Sequence, residues 1–144
     1  MPAPDAGPHG SPGFWLHHAA LAWRAELDSR LRDLGLTPTQ FLLLASAGWL
    51  EHEGGPPTQQ DVARQAGADR MMTSKVVRAL EERGLLARHA DESDGRALRL
   101  TLTAAGRDLT ARAIKVAQQL DAEFFGTGST ALRDTLRGLA RFRE

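Results

Sequence analysis

Residues 58–103, TQQDVARQAGADRMMTSKVVRALEERGLLARHADESDGRALRLTLT, restrict the fold more tightly than any other part of the chain. Thr58 with Asp61 three residues on reads as a helix start of the capping-box kind. Val62, Ala63 and Ala66 then supply a small apolar face, and Gly67 supplies a turn with positive φ. Asp69 is placed to cap a second helix that runs to about Arg83 and stops at Gly84. On that second helix Met72, Val76, Ala79, Leu80 and the stem of Arg83 share one face at helical spacing. Arg70, Met71, Ser74 and Arg78 fall opposite, flanked by Thr73 and Lys75, with the acidic Glu81 and Glu82 held back in the last turn. Two readings of this division stand. One is an ordinary amphipathic helix with a solvated charged face. The other is a helix docked on its apolar side and offering donors to base edges and phosphates.

The next residues weigh toward the second reading. Leu85–His89 and Ala97–Thr103 are short extended candidates, the latter alternating Leu98, Leu100, Leu102 against Arg99, Thr101, Thr103. Between them Asp91-Glu92-Ser93-Asp94-Gly95-Arg96 makes a polar hairpin tip with Asp-Gly as its turn signal. An arginine on such a tip can enter a minor groove, where the potential is most negative. Asp94 would be repelled by phosphate, so its expected role is to orient Arg96 through a bidentate pair. The plainer alternative is a turn made by Asp94 and Gly95 with Arg96 solvated. Helix, turn, helix and two-stranded wing together make a shape suited to duplex DNA.

The flanks are helical in pattern. Met1–Gly13 carries Pro2, Pro4, Pro8 and Pro12 among glycines and is expected to be a disordered arm. Leu16, Ala20, Trp23, Leu27, Leu31 and Leu34 mark a helix from about Phe14 to Leu34, ended by Gly35. Thr37-Pro38-Thr39-Gln40 opens the next, whose stretch Phe41–Leu50 is apolar nearly all round and so demands burial on several sides. A loop at Glu53–Pro57 leads into Thr58. After the wing, Leu109, Ala113, Val116, Leu120 and Phe124 mark a long helix from near Thr103, Gly126-Thr127-Gly128 breaks it, and Ser129 is placed to cap a last helix with Leu132, Leu136, Leu139 and Phe142.

Composition excludes several classes. With no cysteine there is no disulfide or thiol chemistry. No run of apolar residues is long enough to span a bilayer, and the N-terminus lacks a basic-then-apolar signal, so a soluble cytoplasmic protein is expected. His9, His17, His18, His52 and His89 are scattered, and no phosphate loop or nucleophile elbow is present, so neither a metal site, a cofactor nor catalysis is expected. The formal net charge is zero, yet it is unevenly spread: the first 63 residues hold three basic against seven acidic groups, and Arg64–Arg99 holds eight against six. Positive charge is thus mildly concentrated where phosphate would be met, and two copies would double that footprint.

In order and spacing, Leu36-Thr37-Pro38-Thr39-Gln40-Phe41, Asp69-Arg70-Met71-Met72-Thr73-Ser74-Lys75, Leu80-Glu81-Glu82-Arg83-Gly84-Leu85-Leu86, Asp91-x-x-Asp94-x-Arg96 and Leu102-Thr103-x-x-Gly106 resemble the MarR family of bacterial transcription regulators, over roughly Phe14 to Glu144. The resemblance implies a mainly α fold with a small β-wing. A winged helix-turn-helix lobe at 37–103 would be flanked by dimerisation helices at 14–36 and 104–144. It implies a homodimer on a pseudo-palindromic operator in double-stranded DNA, acting as a repressor of nearby genes released by a small aromatic or phenolic effector. Arg70, Met71, Thr73 and Ser74 would read the major groove, Lys75 and Arg78 hold phosphates, Thr58, Gln59 and Gln60 support the backbone contact, and Arg96 probe the minor groove. His17, Trp23, Trp49 and Met72 are the candidates for the lining of an effector pocket, and ordinary core or interface packing is the other reading of each. Where the family's wing often carries two adjacent basic residues, Gly95 stands in place of the first. One branch of the family senses oxidants through cysteine, a route closed to this chain. The rival readings are a winged-helix protein–protein module and an architectural DNA-binding protein without an effector.

Overall fold

The computed structural model describes residues 7–144 and resolves them into two compact units. One gathers Asp28–Lys115. The other gathers the chain up to Leu27 together with Val116–Glu144. The division therefore falls inside the first and fifth helices.

In the Asp28–Lys115 unit, helix α1 (Pro12–Leu31) ends in a 3-10 turn at Arg32–Leu34. Helix α2 (Pro38–Gly54) starts on a capping box: Thr37 accepts from the Gln40 backbone N–H at 3.2 Å, and Gln40 accepts from that of Thr37 at 3.0 Å. It runs through Glu53 and Gly54, so the expected loop is shorter than its composition suggests. Helix α3 (Gln59–Ala66) starts the same way, with Thr58 and Asp61 bonded reciprocally, and Gly67 closes it at φ 65°. Asp69 caps α4 (Arg70–Glu82) by accepting from the Met72 N–H, and the chain leaves through Gly84 at φ 73°. Strands β1 (Leu86–Ala90) and β2 (Leu98–Leu102) pair antiparallel with Leu86 opposite Leu102 and His89 opposite Arg99. Helix α5 (Ala104–Phe125) follows directly.

The core of this unit is where α2, α3, α4 and the sheet meet. Leu43 and Leu44 of α2, Val62 and Ala63 of α3, Val77 and Leu80 of α4, and Leu86, Leu100 and Leu102 of the sheet are all buried. Each large side chain removed from water in this way contributes roughly 1.5–3 kcal/mol. Expectation and structure differ at α2, where Trp49 is 56% exposed although the apolar run predicts burial on several sides.

The other unit is loosely filled. Leu27 and Leu120 are buried, and Trp23 Nε1 donates to Asp121 Oδ1 at 2.8 Å. Helix α6 (Ser129–Ala140) buries none of its residues, and Leu132, Leu139 and, just beyond it, Phe142 are exposed. Gly128, not Ser129, occupies the α6 cap position, and no side chain bonds there. The expected disordered arm is corrected in part: residues 1–6 lie outside those described, but Gly7–Gly10 form a 3-10 turn and α1 already begins at Pro12. The reason is local bonding. Ser11 Oγ accepts from the Phe14 N–H, Trp15 Nε1 donates to the His9 carbonyl, and the His9 ring packs on Phe14 and Trp15.

Candidate nucleic-acid interface

A concavity of about 820 Å³ opens between α3, α4 and the wing. The N-terminus of α3 brings Thr58, Gln59 and Gln60 to it; the first turns of α4 bring Arg70, Met71 and Ser74; the wing brings Asp94 and Arg96. Residues 10 to 38 positions apart in sequence thus converge on one surface, because two capped helices start on the same side of the unit and the hairpin folds over them. Met71 is 75% exposed on this face, an apolar side chain with nothing of its own unit to cover it.

Three expected members of the interface stand differently from the rest. Lys75 and Arg78 are exposed but outside the concavity, on the next ridges of α4. Thr73 borders the concavity but is 1% exposed, and its hydroxyl has no bonding partner among the described residues, so the assignment of Thr73 as a reader of bases is corrected. The buried seam of α4 is Thr73, Val77 and Leu80, the i, i+4, i+7 row one step round from the Met72–Val76–Ala79 row that hydrophobicity suggests. Met72, assigned to the docking face, is 46% exposed. Arg83 is exposed, and its guanidinium donates to the Gly35 carbonyl at 2.9 Å.

The wing tip also differs from expectation. Asp94 does not pair with the Arg96 guanidinium. Asp94 Oδ1 accepts from the Arg96 backbone N–H at 3.1 Å, and the Asp94 carbonyl accepts from the Ala97 N–H at 3.0 Å. Asp94 therefore shapes the turn, and the Arg96 side chain makes no ion pair among the described residues. A guanidinium left without a protein partner is available to an external anion.

Two ion pairs at the wing's base carry no signature in the sequence. Arg88 on β1 donates to Glu81 of α4 three times, from its backbone N–H at 3.1 Å, from Nε at 3.2 Å and from Nη2 at 3.0 Å. These bonds, the side-chain ones foremost, hold the Glu81 carboxyl below the usual glutamate range. Arg99 on β2 reaches both Asp91 and the Pro56 carbonyl, and its hydrogen bond is the main cause that lowers the Asp91 carboxyl, with the Ser93 backbone N–H second. The antiparallel register with His89 opposite Arg99 could have pointed to them only once the strand boundaries were known.

The four residues assigned to an effector pocket divide between the units. His17 is exposed with its ring against that of His18, and Trp23 is half-buried, both in the unit that contains α6. Trp49 and Met72 belong to the other, and none of the four lines the concavity.

Comparison with known proteins agrees with this geometry. The MarR family model matches residues 36–98. The HTH-type transcriptional regulator YdcH of Bacillus subtilis is 34% identical over 120 residues, spanning 83% of this chain and 82% of that protein. The HTH-type transcriptional repressor Rv2887 of Mycobacterium tuberculosis is 36% identical over 110 residues, 76% of each chain. Among solved structures, the repressor CouR on a 23-mer DNA duplex superposes with TM-score 0.79 at 26% identity, over the whole of both chains. CouR of Rhodococcus jostii bound to p-coumaroyl-CoA gives 0.82 at 27%, over 96% of this chain and 97% of that one.

Proposed function

The chain belongs to the MarR family, and on that premise we propose that it is a homodimeric repressor whose α4 and wing read a pseudo-palindromic operator. It is a DNA-binding, effector-responsive transcription regulator and not an enzyme. The observation that carries the reading is the shared concavity: the first turns of α4, the N-terminus of α3 and Arg96 of the wing all face one space. In this reading Arg70, Met71 and Ser74 meet base edges in the major groove and Arg96 enters the flanking minor groove. Thr58, Gln59 and Gln60 set the α3 N-terminus against a backbone phosphate, where its unpaired N–H groups favour negative charge. Lys75 and Arg78, outside the concavity, hold phosphates further along.

Dimerisation is supported by the apolar residues that α6 and its C-terminal extension leave in water, Leu132, Leu139 and Phe142. A two-fold axis would set two α4 helices about one DNA turn apart, ~34 Å, and require a near-palindromic site. The effector is a small aromatic or phenolic molecule. Its support is the p-coumaroyl-CoA bound by CouR. No described helix is long and apolar enough to cross a membrane, and the proposed place of action is the cytoplasm.

The test is fluorescence anisotropy on duplexes selected from a random library, at two salt concentrations, followed by titration with aromatic carboxylates and phenols. The reading requires salt-dependent binding to a palindrome-like site, weakened by Arg96→Ala at fixed salt and reversed by one of the added molecules. A protein-interaction module would bind no duplex. An architectural protein would bind but never be released.

A further inference from the structure

We propose that Arg99 is a positioning residue for the wing, a strut that sets where Arg96 stands relative to α3. The inference rests on the reading of Arg96 as a DNA probe and assigns its aim to a residue outside the contact set. Arg99 Nη1 donates to the Pro56 carbonyl at 2.6 Å, and Nη2 to Asp91 Oδ2 at 3.3 Å. Pro56 lies two residues before Thr58, the α3 cap, and the same segment is stitched onto β2 by the Leu100 N–H donating to the Pro57 carbonyl and by a bridge between Thr58 and Arg99. Asp91 opens the tip: its N–H donates to the Ala97 carbonyl at 3.0 Å, and its carboxylate also accepts from the Ser93 N–H and hydroxyl, at 3.3 Å each. One planar guanidinium therefore joins the start of the tip to the entry of α3.

Beyond that joint the tip has little to hold it. Glu92 to Arg96 are exposed, a Cβ on Gly95 would meet nothing within 4 Å, and the tip's own bonds run only between its neighbours. The direction of Arg96 is consequently inherited from the base of the hairpin, where Arg99 acts. Lysine cannot replace arginine in this role. Its single ammonium keeps the charge but lacks the fork that spans a carbonyl and a carboxylate on opposite sides. That difference separates positioning from simple neutralisation of Asp91.

The experiment compares wild type, Arg96→Ala, Arg99→Lys and the Arg96→Ala/Arg99→Lys double variant. Each is titrated on two selected duplexes that differ only by A·T or G·C pairs under the wing. Arg99→Lys should lower the A·T preference by roughly five- to tenfold, the low end of the cost of one mismatched pair. The double variant should then be no less selective than Arg96→Ala alone. Backbone order parameters of the Ser93–Ala97 amides should fall in the free Arg99→Lys protein. A retained preference, losses that add independently to those of Arg96→Ala, or unchanged order parameters would overturn the proposal. If Arg99→Lys does not fold, Asp91→Asn cuts the other end of the same strut, and an undiminished preference there overturns it equally. A wild type without A·T preference, or an Arg96→Ala variant without effect, would instead remove the minor-groove reading, and the strut's purpose with it.

Discussion

Replacing Gly106 with alanine should cost this fold about 3 kcal/mol, a large effect for one methyl group. Gly106 lies in the first turn of α5 and faces the turn at Gly84–Leu85. A Cβ built on it would overlap the Leu85 carbonyl oxygen and stand 2.8 Å from the carbonyl carbon and 3.3 Å from Cα. The obstacle is backbone, and it is pinned. The Thr103 N–H donates to that carbonyl at 3.2 Å, while the Thr103 hydroxyl donates to the Gly84 carbonyl at 2.6 Å and accepts from the Gly106 N–H at 3.0 Å. Overpacking against an immobile neighbour sits near the top of the usual range, ~3 kcal/mol. Moving α5 away breaks about one hydrogen bond, ~1 kcal/mol, and alanine's better helix propensity returns at most ~1 kcal/mol. The net loss lowers Tm by roughly 6–12 °C for a chain of this size. Urea and thermal unfolding followed by circular dichroism would measure it, at one protein concentration because self-association shifts Tm. Gly54→Ala, with nothing within 4 Å, is the control and should be neutral or slightly stabilising. A Gly106→Ala protein within about 1 kcal/mol of wild type would refute the close approach of α5 to Leu85.

Three further outcomes are expected. Thr73→Val removes a buried hydroxyl that has no partner, so stability should hold or rise and DNA affinity stay unchanged; a loss above about 1 kcal/mol in urea would mean that the hydroxyl is bonded. Glu81 is held below the ordinary glutamate value of about 4.3, so its contribution is complete above that pH and is lost as pH falls through its lower folded value. The Tm gap between wild type and Glu81→Gln should therefore be open at neutral pH and narrow as the pH falls below the ordinary glutamate range, and a gap that stays constant would contradict the Arg88 pairing. Arg78→Ala should weaken binding to every duplex alike and flatten the salt slope by about one unit, whereas an unchanged slope takes Arg78 off the phosphate list.

Much of the fold was legible because its boundaries are local chemistry. Thr37 with Gln40, Thr58 with Asp61, Asp69, Gly67 and Gly84 each perform the capping or turning role that their residue types suggest. Other elements are ambiguous in the sequence where two local signals compete. The Pro- and Gly-rich composition of the start favours disorder, yet from Gly7 it is drawn into a turn and helix by Ser11 and the His9–Trp15 contacts. Ser129 is a good capping residue one position too late. On α4 two rows of apolar residues lie one residue apart, and hydrophobicity alone cannot say which is central. Packing against α2 and α3 settles it for Thr73, Val77 and Leu80.

The sequence by itself determined the order of elements, their caps and the donor-rich character of α4, because these depend on neighbours within a turn or two. Only the tertiary structure decided which α4 residues are spent on the core, that Thr73 is one of them, and that Asp94 bonds the turn and not the Arg96 guanidinium. It alone paired Arg88 with Glu81 and Arg99 with Asp91 and Pro56. Those contacts join residues 7 to 43 positions apart, and each exists because a strand or helix packed elsewhere carries its side chain to that point.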